Sequence, residues 1–502
     1  MATAGSDQAA GWMMLDRFVY RRDEGHDGGG WRFPDESTAP LRATSSTSLG
    51  RPFEVAILHA EPPAVSRLYV RWPGGTKGKY GSGTALMAAH RDLILFQLVS
   101  MEGHITHDHF VCIASSDPAA GPHMELKRLP VCTIPMVLPP CCEEQDTEET
   151  PSCEEDTEDA TMRRVFFPNT VGLIRGREEE FAMAQLGMVT KIRGAHRMEA
   201  EVCVLRSRVS DPDDHGMWEV QKIPIQHQTH EYLALDNWLT DAVVPFNNYI
   251  CWISYYAGGI LFYDIFAETP NIFYLRLPTR NRPTTTQERG FLEVNRSLCV
   301  TGDLLKYTYI LRNDKRLYGP LKPCTGFTIL TDTLSITETR DINCFHERVK
   351  IANELWHYNT SECLPRQALM YPLVSMDSPN TVHYLISEEG DKIDKVSMVT
   401  LDMITQKVTS IVPYIKGEED LCGQDADMVK EKSHLLTSFL PSEFPKFLNL
   451  TRHPEALEDS VQVGVSSIIG LLYYVLLPRI EWRCVNPSDD HMDLVRRWSG
   501  VC

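Results

Sequence analysis

The sequence predicts a mainly β fold: a β-propeller-like repeat of six to eight four-stranded antiparallel blades, with seven as the best estimate and a short helical C-terminal segment. Three observations lead to this prediction. Short apolar runs recur from about residue 53 with turn residues between them, helical spacing of apolar residues is scarce before residue 420, and a unit of about 47 residues repeats. An arrangement of β-sandwiches or barrels is the alternative.

The repeat becomes visible when strand-like segments that end at a proline are aligned. These segments are MELKRLP, WEVQKIP, FYLRLP and VTSIVP, which end at Pro130, Pro224, Pro278 and Pro413. Their separations correspond to about two, one and three units of a period near 47 residues, which is the size of a propeller blade. Each unit reads as a strand, a turn, an apolar strand ending near Asp, a second turn, and a strand before proline.

The chain divides by composition into four parts. We expect a loose N-terminal arm over residues 1–49 with one strand at Trp12–Tyr20, and the propeller-like domain over residues 50–422. Residues 423–450 show helical spacing after an Asp-rich start, carried by Met428, Leu435, Leu436 and Phe439. Residues 451–502 form a tail whose structure the sequence does not indicate.

An acidic insertion interrupts the propeller-like domain at residues 139–161. Ten acidic side chains and no basic one lie between Glu143 and Asp159, and large apolar side chains are almost lacking. Such a segment buries too little apolar surface to offset the entropy of ordering it, so we expect a disordered loop. An acidic linear motif for a basic partner is the alternative interpretation.

Charge and cysteine usage limit the function classes. The formal net charge of -19 and the pI near 5.4 argue against nucleic acid and anionic membrane as partners. The N-terminus lacks the basic and apolar regions of a secretory signal, and the 14 cysteines contain no C-x-x-C pair. We therefore expect a reducing compartment, cytoplasmic or nuclear.

One apolar run near the C-terminus invites a membrane interpretation. The segment VQVGVSSIIGLLYYVLL, residues 461–477, carries no charge but is shorter than the roughly 20 residues of a typical membrane span. Gln462, Ser466 and Ser467 lie within it. We favour a buried or aberrant terminal segment, with a tail anchor as the alternative.

The stretch CWISYYAGGILFYDIF, residues 251–266, predicts a β-hairpin. Ala257, Gly258 and Gly259 form the expected turn, with Gly259 at positive φ, because glycine reaches the backbone angles that tight hairpins need. Apolar residues occupy both faces of the second strand, as in a sheet that is covered on both sides. At its end Asp264 is expected to accept hydrogen bonds from turn amides rather than to act as a general base.

These residues also carry a family resemblance. CWISYYAGGILFYDIFAETPNIFYLRLP closely resembles the signature of the plant domain-of-unknown-function family 1618, with Trp252, Gly258, Gly259, Asp264 and Pro278 as its structural signature. We expect the signature region to span residues 249–416. Further segments, including WMMLDRFVYRRDE and WLTDAVVPF, look like family segments in the expected order over roughly residues 12–416.

The resemblance bears on fold more than on function. The family resembles the β-propeller-like domains that follow F-box motifs, although this chain has no F-box. The family brings no established biochemical activity to transfer. Ser254 stands where many relatives would carry an acidic residue.

Candidate chemistry is sparse. His104, His107 and His109 are weak metal-ligand candidates, because His107 and His109 share one face of a strand and imidazole binds zinc well. Polar histidines without a metal are far commoner, so we predict no metal, cofactor or catalytic site. No phosphate-binding glycine motif and no nucleophile elbow is present.

The sequence thus favours a non-enzymatic scaffold that binds an unknown protein partner through propeller loops. The alternative is an enzyme whose site is assembled from residues distant in sequence. A deep central pocket with converging His, Asp or Glu would favour the enzyme, and a flat aromatic-rich face would favour the scaffold.

Overall fold

Strands dominate the chain. The structure, a computed structural model, describes residues 11–23, 32–73, 75, 84–100, 105–117, 121–135, 161–177, 179–192, 197–209, 216–278, 292–316, 319–336, 342–349, 365–422, 426, 429, 432 and 436–448. Among the described residues the fold is mainly β, with few helices. This confirms the mainly β part of the prediction, while the propeller arrangement, the four-stranded blades and the number of blades stay predictions.

The described strands, in chain order, are β1 (Met13–Arg21), β2 (Leu41–Ser46), β3 (Pro52–Leu58), β4 (Val65–Arg71), β5 (Ala85–His90), β6 (Leu93–Ser100), β7 (Thr106–Asp117), β8 (Gly121–Arg128), β9 (Thr133–Pro135), β10 (Thr161–Arg163), β11 (Val171–Arg175), β12 (Glu180–Lys191), β13 (Met198–Arg208), β14 (Trp218–Gln226), β15 (Ala242–Phe246), β16 (Tyr249–Ser254), β17 (Gly259–Asp264), β18 (Ile272–Arg276), β19 (Arg296–Thr301), β20 (Leu304–Arg312), β21 (Phe327–Ile336), β22 (Ile342–Val349), β23 (Met370–Val374), β24 (Thr381–Glu388), β25 (Lys395–Asp402), β26 (Lys407–Ile415) and β27 (Leu440–Ser442).

The helices whose limits lie within the described residues are short. They are the α-helical turns α1 (Tyr232–Asp236) and α2 (Phe444–Phe447) and the 3₁₀ turns Pro168–Thr170, Thr229–Glu231, Leu292–Val294 and Glu418–Cys422. None of the helices in the described ranges is long and apolar enough to span a bilayer. The segment 461–477, for which a tail anchor was the alternative, lies outside those ranges.

Most strands belong to four-stranded groups. Group 1 contains β1–β4 with β27, and groups 2 to 6 are the consecutive antiparallel meanders β5–β8, β11–β14, β15–β18, β19–β22 and β23–β26. Groups 1 and 2 join through one pair, Phe18 with Ala85, and groups 3 and 4 through a two-residue parallel contact of β14 with β18. A separate two-stranded sheet pairs β9 with β10.

The proline-ended segments of the sequence repeat occupy one place in this pattern. Pro130 follows β8, Pro224 lies in β14, Pro278 follows β18 and Pro413 lies in β26. Each of these strands is the fourth of its group. The position fits proline, which donates no ladder hydrogen bond and is tolerated at sheet edges.

The hydrophobic core is divided among the interfaces between successive groups. Separate clusters lie between groups 1 and 2, 2 and 3, 3 and 4, and 4 and 5. A further cluster contains groups 5 and 6 together with Trp12, which precedes β1, and Met14 of β1. Groups 2 to 5 therefore pack against a neighbouring group on each face, which explains why β6 and β17 bury apolar side chains on both faces.

Several predicted boundaries differ from the structure. Residues 1–49 are not a loose arm with one strand, because the described part contains two strands, β1 and β2, both paired within group 1. The domain edge expected at residue 422 also divides a sheet, since β27 pairs with β1. The second difference arises because pairing between strands that are far apart in the chain leaves no local sequence signal.

The C-terminal prediction is correct only in part. Ala426, Val429 and Lys432 are helical and Phe439 is buried in the core, but residues 440–442 form a strand rather than part of a helix. Met428 and Leu435 lie outside the described residues, as do the acidic segment 139–160 and the tail 451–502.

Candidate functional site

Trp252 has the structural position expected of a signature residue. It lies in β16 with no solvent exposure, and its ring stacks on that of Tyr263 with the centroids 5.7 Å apart. The indole Nε1 donates a hydrogen bond of 3.0 Å to the backbone oxygen of Thr170. Trp252 thus links group 4 to the segment that enters group 3.

The glycine turn differs from the prediction by one residue. Gly258 has the positive φ, +70°, and donates its backbone N–H to the oxygen of Ser254 at 2.8 Å. Gly259 begins β17 with an ordinary strand φ, so its predicted positive φ is wrong. A Cβ atom on Gly259 would lie 2.1 Å from the Tyr274 ring. Close packing, rather than backbone conformation, requires glycine there.

Asp264 does not perform the role predicted for it. Its carboxylate makes no hydrogen bond with the described residues, and it lies half-buried at the end of β17. Asp241 accepts hydrogen bonds from the turn amides instead, from Tyr255 at 2.6 Å and Tyr256 at 3.4 Å. Ser254 Oγ accepts a third, from Ala257 at 3.1 Å. The last signature residue, Pro278, is half-buried beyond β18.

Two of the histidine candidates, His107 and His109, lie in β7, and neither lines the cavity described below. His109 is buried, its Nε2 is 2.9 Å from Gln97 Oε1, and its ring packs on Phe166. Desolvation lowers the pKa of His109 to about 3 and also lowers the pKa of His107. His104 lies outside the described residues, and within them no three His, Cys, Asp or Glu side chains are grouped to hold a metal.

A central cavity brings together residues that are far apart in the sequence. Its volume is about 580 Å³, and it is lined by β1, β27 and the first strands of groups 2 to 6. Small-molecule sites in proteins are commonly about 300–1,000 Å³. Five arginines and four carboxylates line the cavity: Arg17, Arg91, Arg175, Arg177, Arg296, Asp241, Glu293, Asp303 and Glu443.

Arg17 is fixed at the cavity wall by backbone oxygens. Its Nε donates to Ser438 at 3.1 Å, and its Nη1 donates to Met87 at 3.4 Å. The Nη2 group makes no hydrogen bond with the described residues. Burial lowers the pKa of Arg17, and the negative charge of Glu293 opposes that shift. The result is a positioned guanidinium with donors still available to a ligand.

Glu293 is a cavity carboxylate without a partner among the described residues. It lies in the 3₁₀ turn Leu292–Val294, half-buried at the cavity, and forms no hydrogen bond or ion pair with any of them. Burial raises the pKa of Glu293, while the positive charge of Arg17 acts in the opposite direction. Glu293 and Arg17 thus influence each other's charge without direct pairing.

A second carboxylate has a more defined environment. Burial raises the pKa of Asp241 to about 6, against the lowering effect of the Tyr255 and Tyr256 amides, and repulsion from Glu293 raises it further. Arg296 Nη1 donates to the backbone oxygen of Tyr255 at 3.1 Å, and the Tyr255 hydroxyl accepts from the Leu298 amide. This network holds the turn of group 4 against β19.

Two further cavity residues are held in particular conformations. Tyr371, in β23, has a φ of +50°, and its hydroxyl donates a hydrogen bond to the Leu436 oxygen. His90 Nδ1 accepts the backbone N–H of Arg175 at 2.8 Å, and desolvation lowers the pKa of His90 to about 4. His90 is therefore neutral at pH 7, and Nε2 carries its hydrogen because Nδ1 is an acceptor.

None of these cavity residues was predicted from the sequence to form a site. The sequence feature that could have indicated the site is the presence of charged residues within or beside apolar strands. Arg17 follows Asp16 in WMMLDRFVY, and Asp241 precedes the apolar run AVVPF. A charge in such a setting is either paired in the core or directed at a cavity. Sequence order alone does not decide between the two.

Comparison with solved structures gives only distant likeness. One is reported as "Crystal structure of a putative 6-phosphogluconolactonase" from Bacteroides fragilis; the match covers 83% of this chain and 96% of that one, at 9% identity and a TM-score of 0.27. For a protein of the same description from Bacteroides uniformis, the match covers 74% of this chain and 84% of that one, at 8% identity and a TM-score of 0.26. Among curated proteins, none matches the sequence significantly.

The family comparison is more informative. Residues 252–383 match the family model "Protein of unknown function (DUF1618)". The match begins at Trp252 and includes the hairpin of β16 and β17, so it confirms the family predicted from those residues. It is shorter than the expected extent of residues 12–416. Residues 252–383 of this chain are therefore similar to the DUF1618 family, as the hairpin residues predicted.

Proposed function

We propose that the chain is a six-bladed β-propeller whose central cavity binds a small organic acid that also carries a hydroxyl or ammonium group. Groups 1 to 6 would be the blades. The count of six is supported by the order of the apolar clusters, because each group packs on the next one along the chain. It lies at the lower end of the range that the sequence repeat suggested.

Contacts at the chain ends support closure of the ring. Trp12 and, in β1, Met14 pack in the same cluster as Tyr384 and Val399 of group 6. In addition, β27 from the C-terminal part pairs antiparallel with β1. A propeller closed by its two chain ends leaves fewer exposed sheet edges, and this favours a closed ring over an open row of sheets.

One observation carries the ligand proposal: Arg17 and Glu293 face the same cavity with opposite charges but do not pair. Removing charges from water is costly unless a partner compensates. A molecule bound between them would supply a carboxylate to the Arg17 Nη2 donors and a hydroxyl or ammonium donor to Glu293. Charge-assisted bonds of this kind are among the stronger hydrogen bonds in proteins.

The charge distribution supports an anionic ligand. The chain as a whole carries a formal charge of -19, yet arginines outnumber carboxylates among the residues that line the cavity. The cavity is thus a local exception in an acidic protein, and opposite charge would attract an acid towards it. The volume of about 580 Å³ is sufficient for a molecule of several carbon atoms.

A thermal-shift experiment with matched small molecules tests this proposal. Lactate and serine contain both groups, whereas acetate lacks the second donor and ethanolamine lacks the carboxylate. We expect the first two to raise the melting temperature more than the last two. This larger rise in melting temperature with lactate and serine should be lost in Glu293→Gln. It should be retained in Glu201→Gln, because Glu201 is half-buried and pairs with Arg164 outside the cavity. Equal shifts with all four compounds would refute the proposal.

An enzymatic role, the alternative from the sequence, would use the same cavity. Burial raises the pKa of Glu293, as it does for many carboxyl groups that act as general acids or bases. Product analysis after incubation with the compounds that bind distinguishes the two roles. Conversion that disappears in Glu293→Gln would identify catalysis, and unchanged ligand would identify binding alone.

The scaffold function predicted from the sequence is supported by a different observation. Seven of the eleven large apolar side chains that are exposed in the described ranges fall between residues 165 and 239: Val165, Phe167, Met188, Met217, Val220, Leu233 and Leu239. Exposed apolar side chains concentrated in one region are typical of protein-binding surfaces. The partner would bind group 3 and α1 rather than the cavity.

Affinity purification from native tissue tests the scaffold function. The wild-type chain and a Met217→Glu, Leu233→Glu variant would serve as baits, with Ile404→Glu as the control at an exposed position in group 6. We expect a partner that the wild type and the control recover and the double variant loses. Imaging of a fluorescent fusion in the same tissue tests the expected cytoplasmic or nuclear location.

A further inference from the structure

Cys132 and Cys203 form a close pair of thiols. Their Sγ atoms are 3.3 Å apart, and both side chains are buried. Cys132 lies in the connection between β8 and β9, and Cys203 lies within β13. The pair therefore joins the exit of group 2 to a strand of group 3. A disulfide holds its sulfur atoms about 2 Å apart, so a small side-chain movement would be sufficient for bond formation.

A fixed positive charge lies beside this pair. Arg164 Nε donates to Gln185 Oε1 at 2.7 Å, and Nη1 donates to Glu201 Oε1 at 2.9 Å. The backbone N–H of Arg164 also donates to the Cys132 oxygen at 3.0 Å. The positive charge of Arg164 acts to lower the pKa of both thiols and so favours a thiolate over a thiol.

The two thiols are not equivalent. The hydrogen bond from Cys132 lowers the pKa of Cys203, and Arg164 lowers it further against the opposing effect of burial. The same hydrogen bond, together with burial, raises the pKa of Cys132. Cys203 is thus the sulfur that ionises first, and Cys132 remains the proton-carrying partner.

We propose that Cys132 and Cys203 are a peroxide-sensitive dithiol that closes to a disulfide. The Cys203 thiolate attacks one oxygen of hydrogen peroxide, the O–O bond breaks, and sulfenic acid and hydroxide form. The Cys132 sulfur then attacks the Cys203 sulfur and loses its proton, and the sulfenic oxygen leaves as water. Overall, two thiols and one hydrogen peroxide yield one disulfide and two waters.

Peroxide is the oxidant that the burial of the pair favours. It is small enough to enter where larger disulfide reagents would be excluded. In a reducing compartment, disulfides are commonly transient and redox-sensing. The other buried cysteines of the described region provide a comparison: Cys112, Cys251 and Cys299 have no second sulfur within hydrogen-bond distance, and Cys299 contacts Ser297 Oγ instead.

Peptide mapping of the full chain after peroxide treatment tests the proposal. We expect a cross-linked peptide pair containing Cys132 and Cys203, which is lost on reduction with dithiothreitol. Cys112 and Cys251 should still be alkylated as free thiols after denaturation in the same sample. Recovery of Cys132 and Cys203 as free thiols, with the exposed Cys324 and Cys422 oxidised, would overturn the proposal.

Two variants sharpen the test. In Cys132→Ser the Cys203 sulfenic acid has no partner thiol, so dimedone should label Cys203 at least several-fold more than in the wild type. In Cys299→Ser the cross-link should form as in the wild type. If Cys132→Ser leaves dimedone labelling of Cys203 unchanged, Cys132 is not the resolving thiol and the proposed reaction is wrong.

Discussion

Asp16 and Lys432 form a buried ion pair between residues that are 416 positions apart in the chain. The Asp16 carboxylate also accepts hydrogen bonds from the hydroxyls of Tyr20 at 2.7 Å and Tyr414 at 3.0 Å. Tyr20 belongs to β1 and Tyr414 to β26. This network therefore connects the N-terminal strand, the last meander and the segment that follows it.

Loss of one charge from this pair should be strongly destabilising. Asp16→Asn leaves the Lys432 ammonium buried without a counter-charge, and a broken buried pair costs about 3–5 kcal/mol. The free energy of unfolding, measured by urea titration, should fall by that amount.

The control is Lys446→Met. Lys446 pairs with Asp377 and Glu443 at the surface, where loss of an ion pair costs about 0–1 kcal/mol. The double variant Asp16→Leu, Lys432→Met removes both charges and should be more stable than Asp16→Asn alone. Similar small losses in Asp16→Asn and Lys446→Met would contradict the structural role of the network.

Gly259 and Gly302 should respond differently to substitution, because only Gly259 is closely packed. Gly259→Ala places a Cβ against the Tyr274 ring, and overpacking of this kind costs about 1–3 kcal/mol. Tyr274→Leu should relieve part of that loss. Gly302→Ala is the control, because Gly302 has a φ of +55° and open space around its Cβ position, so it reports backbone strain alone. Thermal melting of the four variants measures these effects, and an unchanged loss for Gly259→Ala in the Tyr274→Leu background would contradict them.

Asp264 and Trp252 should differ sharply in their contribution to stability. Asp264→Asn should change the free energy of unfolding by less than about 0.5 kcal/mol, as expected for a side chain without a hydrogen-bond partner. Trp252→Ala should cost roughly 3–5 kcal/mol, because it leaves a cavity and an unpaired Thr170 oxygen. A large loss of stability in Asp264→Asn, measured by the same urea titration, would contradict this expectation. It would support the prediction from the sequence that Asp264 accepts hydrogen bonds from turn amides.

Asp241 should make stability depend on pH. Its pKa is raised to about 6 in the folded chain, whereas an unfolded aspartate has a pKa near 3.9. The folded state binds the extra proton, so this contribution to stability is complete below about pH 4 and is lost as the pH rises through 6. The difference in free energy of unfolding between wild type and Asp241→Asn should fall by at most about 2–3 kcal/mol over that range. Parallel pH profiles for the two proteins would contradict the raised pKa.

The local pattern of this fold is readable from sequence. Alternation in ILFYDI correctly predicts that Ile260 and Phe262 face one neighbouring sheet while Leu261 and Tyr263 face the other. The pattern cannot decide which glycine of a Gly-Gly pair takes the positive φ, because both have the required freedom. Nor does the pattern show that a Cβ on Gly259 would meet Tyr274, because Tyr274 lies on the next strand.

The residues of the candidate site could not be predicted from the sequence, for a different reason. Arg17, Asp241 and Glu293 come from β1 and from the segments before β15 and β19, and only the arrangement of the groups brings them to one cavity. The carboxylate that binds the turn amides also could not be read from the sequence. Asp264 lies in the hairpin itself, but Asp241, just before β15, accepts the hydrogen bonds from the turn. Non-local contacts of this kind leave no mark in the spacing of residues.

Isothermal titration calorimetry of lactate against the wild-type chain, Arg17→Lys, Glu293→Gln and the control Glu201→Gln tests the central claim most directly. The proposal predicts one site per chain in the wild type and in Glu201→Gln. It also predicts a roughly tenfold or greater loss of affinity in Arg17→Lys and Glu293→Gln, as expected when a charge-assisted hydrogen bond of about 1.5–3 kcal/mol is removed or displaced. Equal affinity in all four proteins, or no binding to the wild type, would contradict a ligand site between Arg17 and Glu293.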